Sequence, residues 1–170
     1  MAAQASQDDS AFSAWITPHL GRLARISRAF AHPADQADLL QELLIAAWKA
    51  RPAFRGDSSE ATFLYRVAHN RALTWKRREG LRLLRFFEAR HDLAAQAPDC
   101  GPEEQQLEAL YAAIRQLPPV DRSLVLLSLE GVSYADMSAL HGLSENHIGV
   151  RLTRARARLT ALAGEIYDGL

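Results

Sequence analysis

Apolar residues recur along this chain at the 3.6-residue spacing of helices. Phe12, Trp15, Ile16, Leu20, Leu23, Ile26 and Phe30 form a first stripe, with Arg22, Arg25 and Arg28 lying off it. Thr17 followed by Pro18 has the chemistry of an N-cap and first helical residue, so a break is expected inside this element. Pro33 ends it. Asp35 and Asp38 give an acidic start to a second helix with apolar positions at Leu39, Leu40, Leu43, Leu44, Ala47 and Trp48, and Pro52 stops that one. A loop rich in turn formers covers 51–58. Ser58 or Ser59 then caps a third helix carrying Phe63, Leu64, Val67, Ala68 and Trp75, whose last turn, Lys76, Arg77 and Arg78, precedes Gly80. A short amphipathic segment follows at 81–90.

Pro98, Gly101 and Pro102 fall within six residues and cannot continue a helix, which places a linker at 91–102. Beyond it, 103–117 carries Leu107, Leu110, Tyr111 and Ile114, and Pro118 with Pro119 interrupts the pattern. An apolar helix covers 120–130 and is ended by Gly131. The run from Ser133 to Ile148 has the form of a helix-turn-helix. Ser133 and Asp136 have capping-box spacing, Gly142 suits a tight turn and Ser144 caps the next helix. In that helix Ile148, Leu152, Ala155 and Leu159 take the core side, leaving His147, Val150, Thr153 and Arg154 outward. The expected fold is all-α, with two small helical domains, 10–90 and 103–170, on a flexible linker. Residues 1–9, small and polar, are expected to form a loose tail.

Charge changes this picture more than composition does. The 170 residues carry no net charge, which argues at first against a polyanionic partner. The distribution is uneven, however. Arg71, Lys76, Arg77, Arg78, Arg82 and Arg85 make one basic block and Arg151, Arg154, Arg156 and Arg158 another. The stretch between them, with Asp92, Asp99, Glu103, Glu104 and Glu108, lacks Lys and Arg. Two separated basic faces point to two contacts on one nucleic acid. A single cysteine, Cys100, excludes an intramolecular disulfide and a multi-cysteine metal site, and implies a cytoplasmic setting. No window approaches the roughly 18 apolar residues of a spanning helix, so no membrane insertion is expected. The histidines form no ligand cluster, and no nucleophile motif or phosphate-cradling loop is visible. The expectation is a non-enzyme without metal, cofactor or catalytic residues.

Several runs together resemble the extracytoplasmic-function sigma factors of bacterial RNA polymerase. In the first half these are Asp35-Gln-Ala-Asp38-Leu-Leu-Gln41-Glu42 ending at Trp48, then Phe54-Arg55-Gly56, and 62–70 from Thr62 to Asn70. In the second they are Leu117-Pro118 with Arg122, Glu130-Gly131-Val132-Ser133-Tyr134, Gly142-Leu143-Ser144, and Arg151-Leu152 followed by Arg154-Ala155-Arg156. The resemblance covers roughly 15–160. It implies that Asp35, Asp38, Gln41 and Glu42 dock on the polymerase β' clamp helices, with the β flap as a second contact. It implies that the loop 51–59, with Arg55 and Ser58, receives a flipped base of the -10 element. Asn70, Arg71, Trp75, Lys76, Arg77 and Arg78 would then hold the strand. It further implies that Ser144, Asn146, His147, Val150, Arg151, Thr153, Arg154 and Arg158 meet the -35 element, and that an anti-sigma factor restrains the protein.

Some of these residues have plainer roles open to them. Trp75 lies on the stripe with Leu64, Val67 and Ala68, so core packing competes with base stacking. Asp38 and Glu42 suit the start of a helix in any protein. Gly149 and Val150 stand where the family commonly has a basic or hydroxyl residue, which removes base-edge donors and shifts the expected distal recognition toward shape and phosphates. The competing functions are a sigma-like decoy that sequesters an anti-sigma regulator without directing transcription, and a stand-alone helix-turn-helix repressor. The repressor leaves 35–70 unexplained.

Overall fold

The computed structural model of the chain describes residues 2–86 and 101–168. Among the described residues every regular element is helical. Helix α1 (Ala2–Ile16) runs into a 3-10 turn at Thr17–His19, and α2 (Leu20–Phe30) follows. The break falls at Thr17-Pro18 as expected. Thr17 does not cap α2, however, because its hydroxyl bonds back to the Ser13 carbonyl at 2.6 Å. A second 3-10 turn, Pro33–Asp35, leads into α3 (Gln36–Ala50), and a third, Arg51–Ala53, opens the loop before α4 (Glu60–Phe86). Ser59 is the residue that caps α4, its Oγ accepting from the Thr62 amide at 3.1 Å.

The second half contains α5 (Pro102–Arg115), α6 (Pro119–Leu129), α7 (Tyr134–His141) and α8 (Glu145–Asp168). Proline sits in the first turn of α5 and of α6, where its missing N–H costs nothing. Leu23, Ile26 and Phe30 of α2 meet Leu39 and Leu43 of α3 and Leu64 of α4 with no side chain reached by solvent. Ile114, Leu124, Leu127, Met137, Ile148 and Leu152 do the same in the second half. Each such burial stabilises by roughly 1.5–3 kcal/mol.

The two halves share one continuous core and do not stand apart. Helix α2 packs on α5 and α6, and α4 touches α7. Polar groups stitch this seam. The Tyr65 hydroxyl donates to the Ser123 carbonyl at 2.9 Å, and the Ser123 hydroxyl bonds to His69 Nδ1. Glu130 accepts from Arg22 and, at 2.9 Å, from Arg25. Arg115 donates to the Arg28 carbonyl at 2.9 Å, and the Arg122 guanidinium lies 5.6 Å from the Phe30 ring centroid. The two helical halves thus meet in a closed arrangement, held by hydrogen bonds between residues 54 or more positions apart.

Other expectations also change. Residues 2–9 are helical, consistent with the high helix propensity of Ala2, Ala3, Gln4 and Ala5 and the absence of a breaker before Pro18. Helix α4 passes through Gly80 without ending, because one interior glycine costs only about 1 kcal/mol and nothing crowds it. The segment expected at 81–90 is thus, to Phe86, the end of α4, and its remainder lies outside the described residues. So does the linker at 91–102, apart from Gly101 and Pro102, which already form the start of α5. Leu107 and Leu110, expected on one face with Tyr111 and Ile114, are exposed while those two are buried, and Trp48 is exposed as well.

Candidate nucleic-acid interface

Helix α3 buries Leu39, Leu43 and Ala47 and turns Asp38 and Gln41 to solvent. Ile45 and Trp48 continue the same outward face, and both are exposed. Asp35 occupies the N-cap position without a side-chain hydrogen bond to the helix. Glu42 pairs with Arg71 of α4, so this carboxylate is committed within the protein and Arg71 with it. The open part of the face is Asp38, Gln41, Ile45 and Trp48. Ile45 carries no separate signal in the sequence, since it lies inside the unbroken apolar run 43–48, where period alone does not tell the outward side from the inward one.

Helix α4 presents Asn70, Arg77 and Arg78 to solvent. Among the described residues no carboxylate pairs with Arg77 or Arg78, while Lys76 is held by Glu79 at 2.8 Å. Trp75 is half-buried against the core, as its stripe position favours, and its indole N–H finds no hydrogen-bond partner among the described residues. The preceding loop turns at Gly56, whose φ of 80° suits glycine, and is anchored by Phe54 on Phe63 at 5.1 Å between ring centroids. Arg55 is exposed there and Ser58 half-buried.

The helix-turn-helix is built as its sequence dictates. Ser133 Oγ accepts from the Asp136 amide at 3.1 Å and donates to its carboxylate at 2.6 Å. Gly142 closes α7 in the left-handed conformation at φ 66°, and Ser144 Oγ accepts from the His147 amide at 3.3 Å. Ile148, Leu152 and Ala155 anchor α8 inward. Ser144, Asn146, His147, Val150, Thr153, Arg154 and Arg158 all face solvent. Arg151 is half-buried and bound to Asp121 of α6 at 2.7 Å, which makes it a brace for the motif. Arg154 and Arg158 have no carboxylate partner among the described residues. Tyr134, absent from the expected site, is exposed beside Gly149, and the missing side chain at Gly149 was the available signal.

A buried guanidinium fixes the approach to this motif. Arg122 donates to the Leu117 carbonyl at 2.7 Å and to the Arg115 carbonyl, tying the α5–α6 corner, and burial lowers its pKa. His69 sits where the halves meet. Burial, with a smaller effect of the neighbouring His141, pushes its pKa down to about 4, so the imidazole is neutral near pH 7.

An all-helical chain with a helix-turn-helix, free arginines on its outward helix and a second basic helix has the form of a DNA-binding protein. Residues 15–82 match the family described as Sigma-70 region 2, and 107–159 match Sigma-70, region 4. The chain is 32% identical to the RNA polymerase sigma-H factor of Pseudomonas aeruginosa, over 88% of this chain and 84% of that one. It is 28% identical to the ECF RNA polymerase sigma factor SigM of Mycobacterium tuberculosis, over 100% of this chain and 86% of that one. A solved structure of CnrH in complex with the cytosolic domain of CnrY superposes with a TM-score of 0.61. It is 25% identical and covers 96% of this chain and 94% of CnrH. The chain belongs to the extracytoplasmic-function sigma factors, a family that binds core RNA polymerase and promoter DNA. Among the described residues no helix is long and apolar enough to cross a membrane.

Proposed function

We propose that this chain joins core RNA polymerase through the outward face of α3, reads the -10 element with α4 and the loop before it, and reads the -35 element with α8. In doing so it starts transcription of a specific signal-responsive regulon. The observation that carries this reading is the division of α8. One side is locked into the core by Ile148, Leu152 and Ala155, while the other offers Asn146, Val150, Thr153, Arg154 and Arg158 to solvent. A helix so mounted fits a major groove, with arginines placed for phosphates. Base contacts on α4 would draw on stacking worth roughly 1–3 kcal/mol per base, and on Arg77 and Arg78. An anti-sigma protein as restraint is in keeping with the CnrY-bound relative.

The decoy reading predicts decayed basic faces, and the exposure of Arg77, Arg78, Arg154 and Arg158 weighs against it. The test is assembly of the full chain with core polymerase. Asp38 and Gln41 are exposed and make no ion pair among the described residues, so an Asp38→Arg, Gln41→Ala double change leaves the fold intact. It should weaken holoenzyme formation tenfold or more in a competition assay. Normal assembly by the double variant would remove α3 as the docking surface.

A further inference from the structure

The outer face of α8 contains a groove lined by Tyr134, Asn146, Gly149, Val150, Thr153 and Arg154, with Glu145 also on its lining. That lining joins apolar surface to polar and charged groups. Val150 and Tyr134 are each 40% exposed, an unusual allowance for two such side chains on a face otherwise polar. The Tyr134 ring, carried on the first residue of α7, lies against the bare backbone of Gly149. A Cβ at that position would stand 3.5 Å from Tyr134 Cε2. Thr153 donates its hydroxyl to the Gly149 carbonyl at 2.9 Å, which leaves its methyl as the group it has to offer.

This arrangement has a specific chemical counterpart. Of the groups that B-form DNA displays in the major groove, the C5-methyl of thymine is the apolar one, and it is read by apolar side chains. A notch lined by the bare backbone of Gly149, the ring edge of Tyr134 and the Val150 side chain accepts a methyl, and the carbon atoms of that lining make no hydrogen bond to a base amino or carbonyl group. Occupancy by duplex DNA follows from the charge on the rim, where Arg154 within the groove and Arg158 one turn beyond are exposed without carboxylate partners among the described residues. Glu145 repels phosphate but accepts from a cytosine amino group, and Asn146 pairs with adenine, so both suit base edges at the groove's end. Gly149 and Val150 are then not an erosion of the recognition helix but a different reading head.

We propose that the Tyr134–Gly149–Val150 notch reads a thymine methyl in the distal promoter element. This rests on the promoter-recognition role given above. The experiment begins with holoenzyme reconstituted from the full chain and a duplex selected by it from a random library. Each thymine of the distal element is replaced in turn by deoxyuridine, which removes the methyl alone. At one position affinity should fall roughly fourfold, the effect of one buried methyl-sized group. Val150→Ser and Gly149→Ala should each bind the unmodified duplex about as weakly as the native chain binds the deoxyuridine duplex and lose that discrimination, the second by filling the notch while raising helix propensity.

If the selected duplex binds specifically and no thymine replacement matters, the notch is refuted while promoter recognition stands. Discrimination that survives in both variants also refutes it. Failure of the holoenzyme to enrich any duplex would overturn both readings.

Discussion

Acidification should loosen the seam between the halves through His69, and the size of the effect can be worked out. The imidazole is 8% exposed, bonded to Ser123 and 5.0 Å from the His141 ring, and its pKa lies at about 4 against an ordinary 6.5. Unfolding releases it to titrate normally. Between pH 6.5 and 4 the unfolded chain therefore binds more protons than the folded one, and stability falls as pH falls through that window. The contribution is fully present above pH 6.5. Relative to pH 7.5, about 2 kcal/mol is lost at pH 5 and about 3 kcal/mol once pH is below 4. Urea unfolding followed by circular dichroism at a series of pH values measures this directly. His69→Gln keeps a polar partner for Ser123 and cannot titrate, so its stability should decline less by about that amount. His141, also held low by burial, remains in both proteins and cancels in the comparison. Equal pH slopes for the two proteins would refute the assignment of a neutral, buried imidazole at the seam.

Glu130→Gln removes the charge that Arg22 and Arg25 share across the halves, and with Arg25 well exposed the loss should be on the order of 1 kcal/mol and shrink in high salt. A lowered urea midpoint is the expected readout. Gly142→Ala forces a side chain into φ 66° at the turn of the helix-turn-helix and should destabilise by about 1–2 kcal/mol, measured as a fall in thermal midpoint, with distal-element binding reduced in parallel.

The helix-turn-helix was legible because its signals are local. Ser133, Gly142 and Ser144 each fix a backbone conformation within three or four residues, and the inward row Ile148, Leu152 and Ala155 follows from period alone. The break at Thr17-Pro18 and the cap at Ser59 were legible for the same reason. What escaped was set at long range. Nothing near Tyr65 or His69 in the sequence indicates that Ser123 will face them, and nothing near Glu130 points to Arg22. Leu107 and Leu110 obey the helical period but belong to the part of α5 that the core does not reach. Gly80 misled because a glycine signals a stop only where other breakers reinforce it. Arg71, Lys76 and Arg151 belong to the expected basic faces, yet they are paired with Glu42, Glu79 and Asp121, whereas Arg77, Arg78, Arg154 and Arg158 have no carboxylate partner among the described residues.

The joining of α2 and α4 to α6 sets a limit on reach. A compact fold of 170 residues has a radius of gyration of about 15 Å, which corresponds to about 40 Å from side to side. Promoter positions about 25 base pairs apart, at about 3.4 Å per step, are about 85 Å distant along the duplex. On the proposed reading, the closed form is too short for both promoter elements at once. Engaging both would require the Ser123 and Glu130 contacts to part, and the work of stretching the molecule would fall to whatever surface holds the two halves apart.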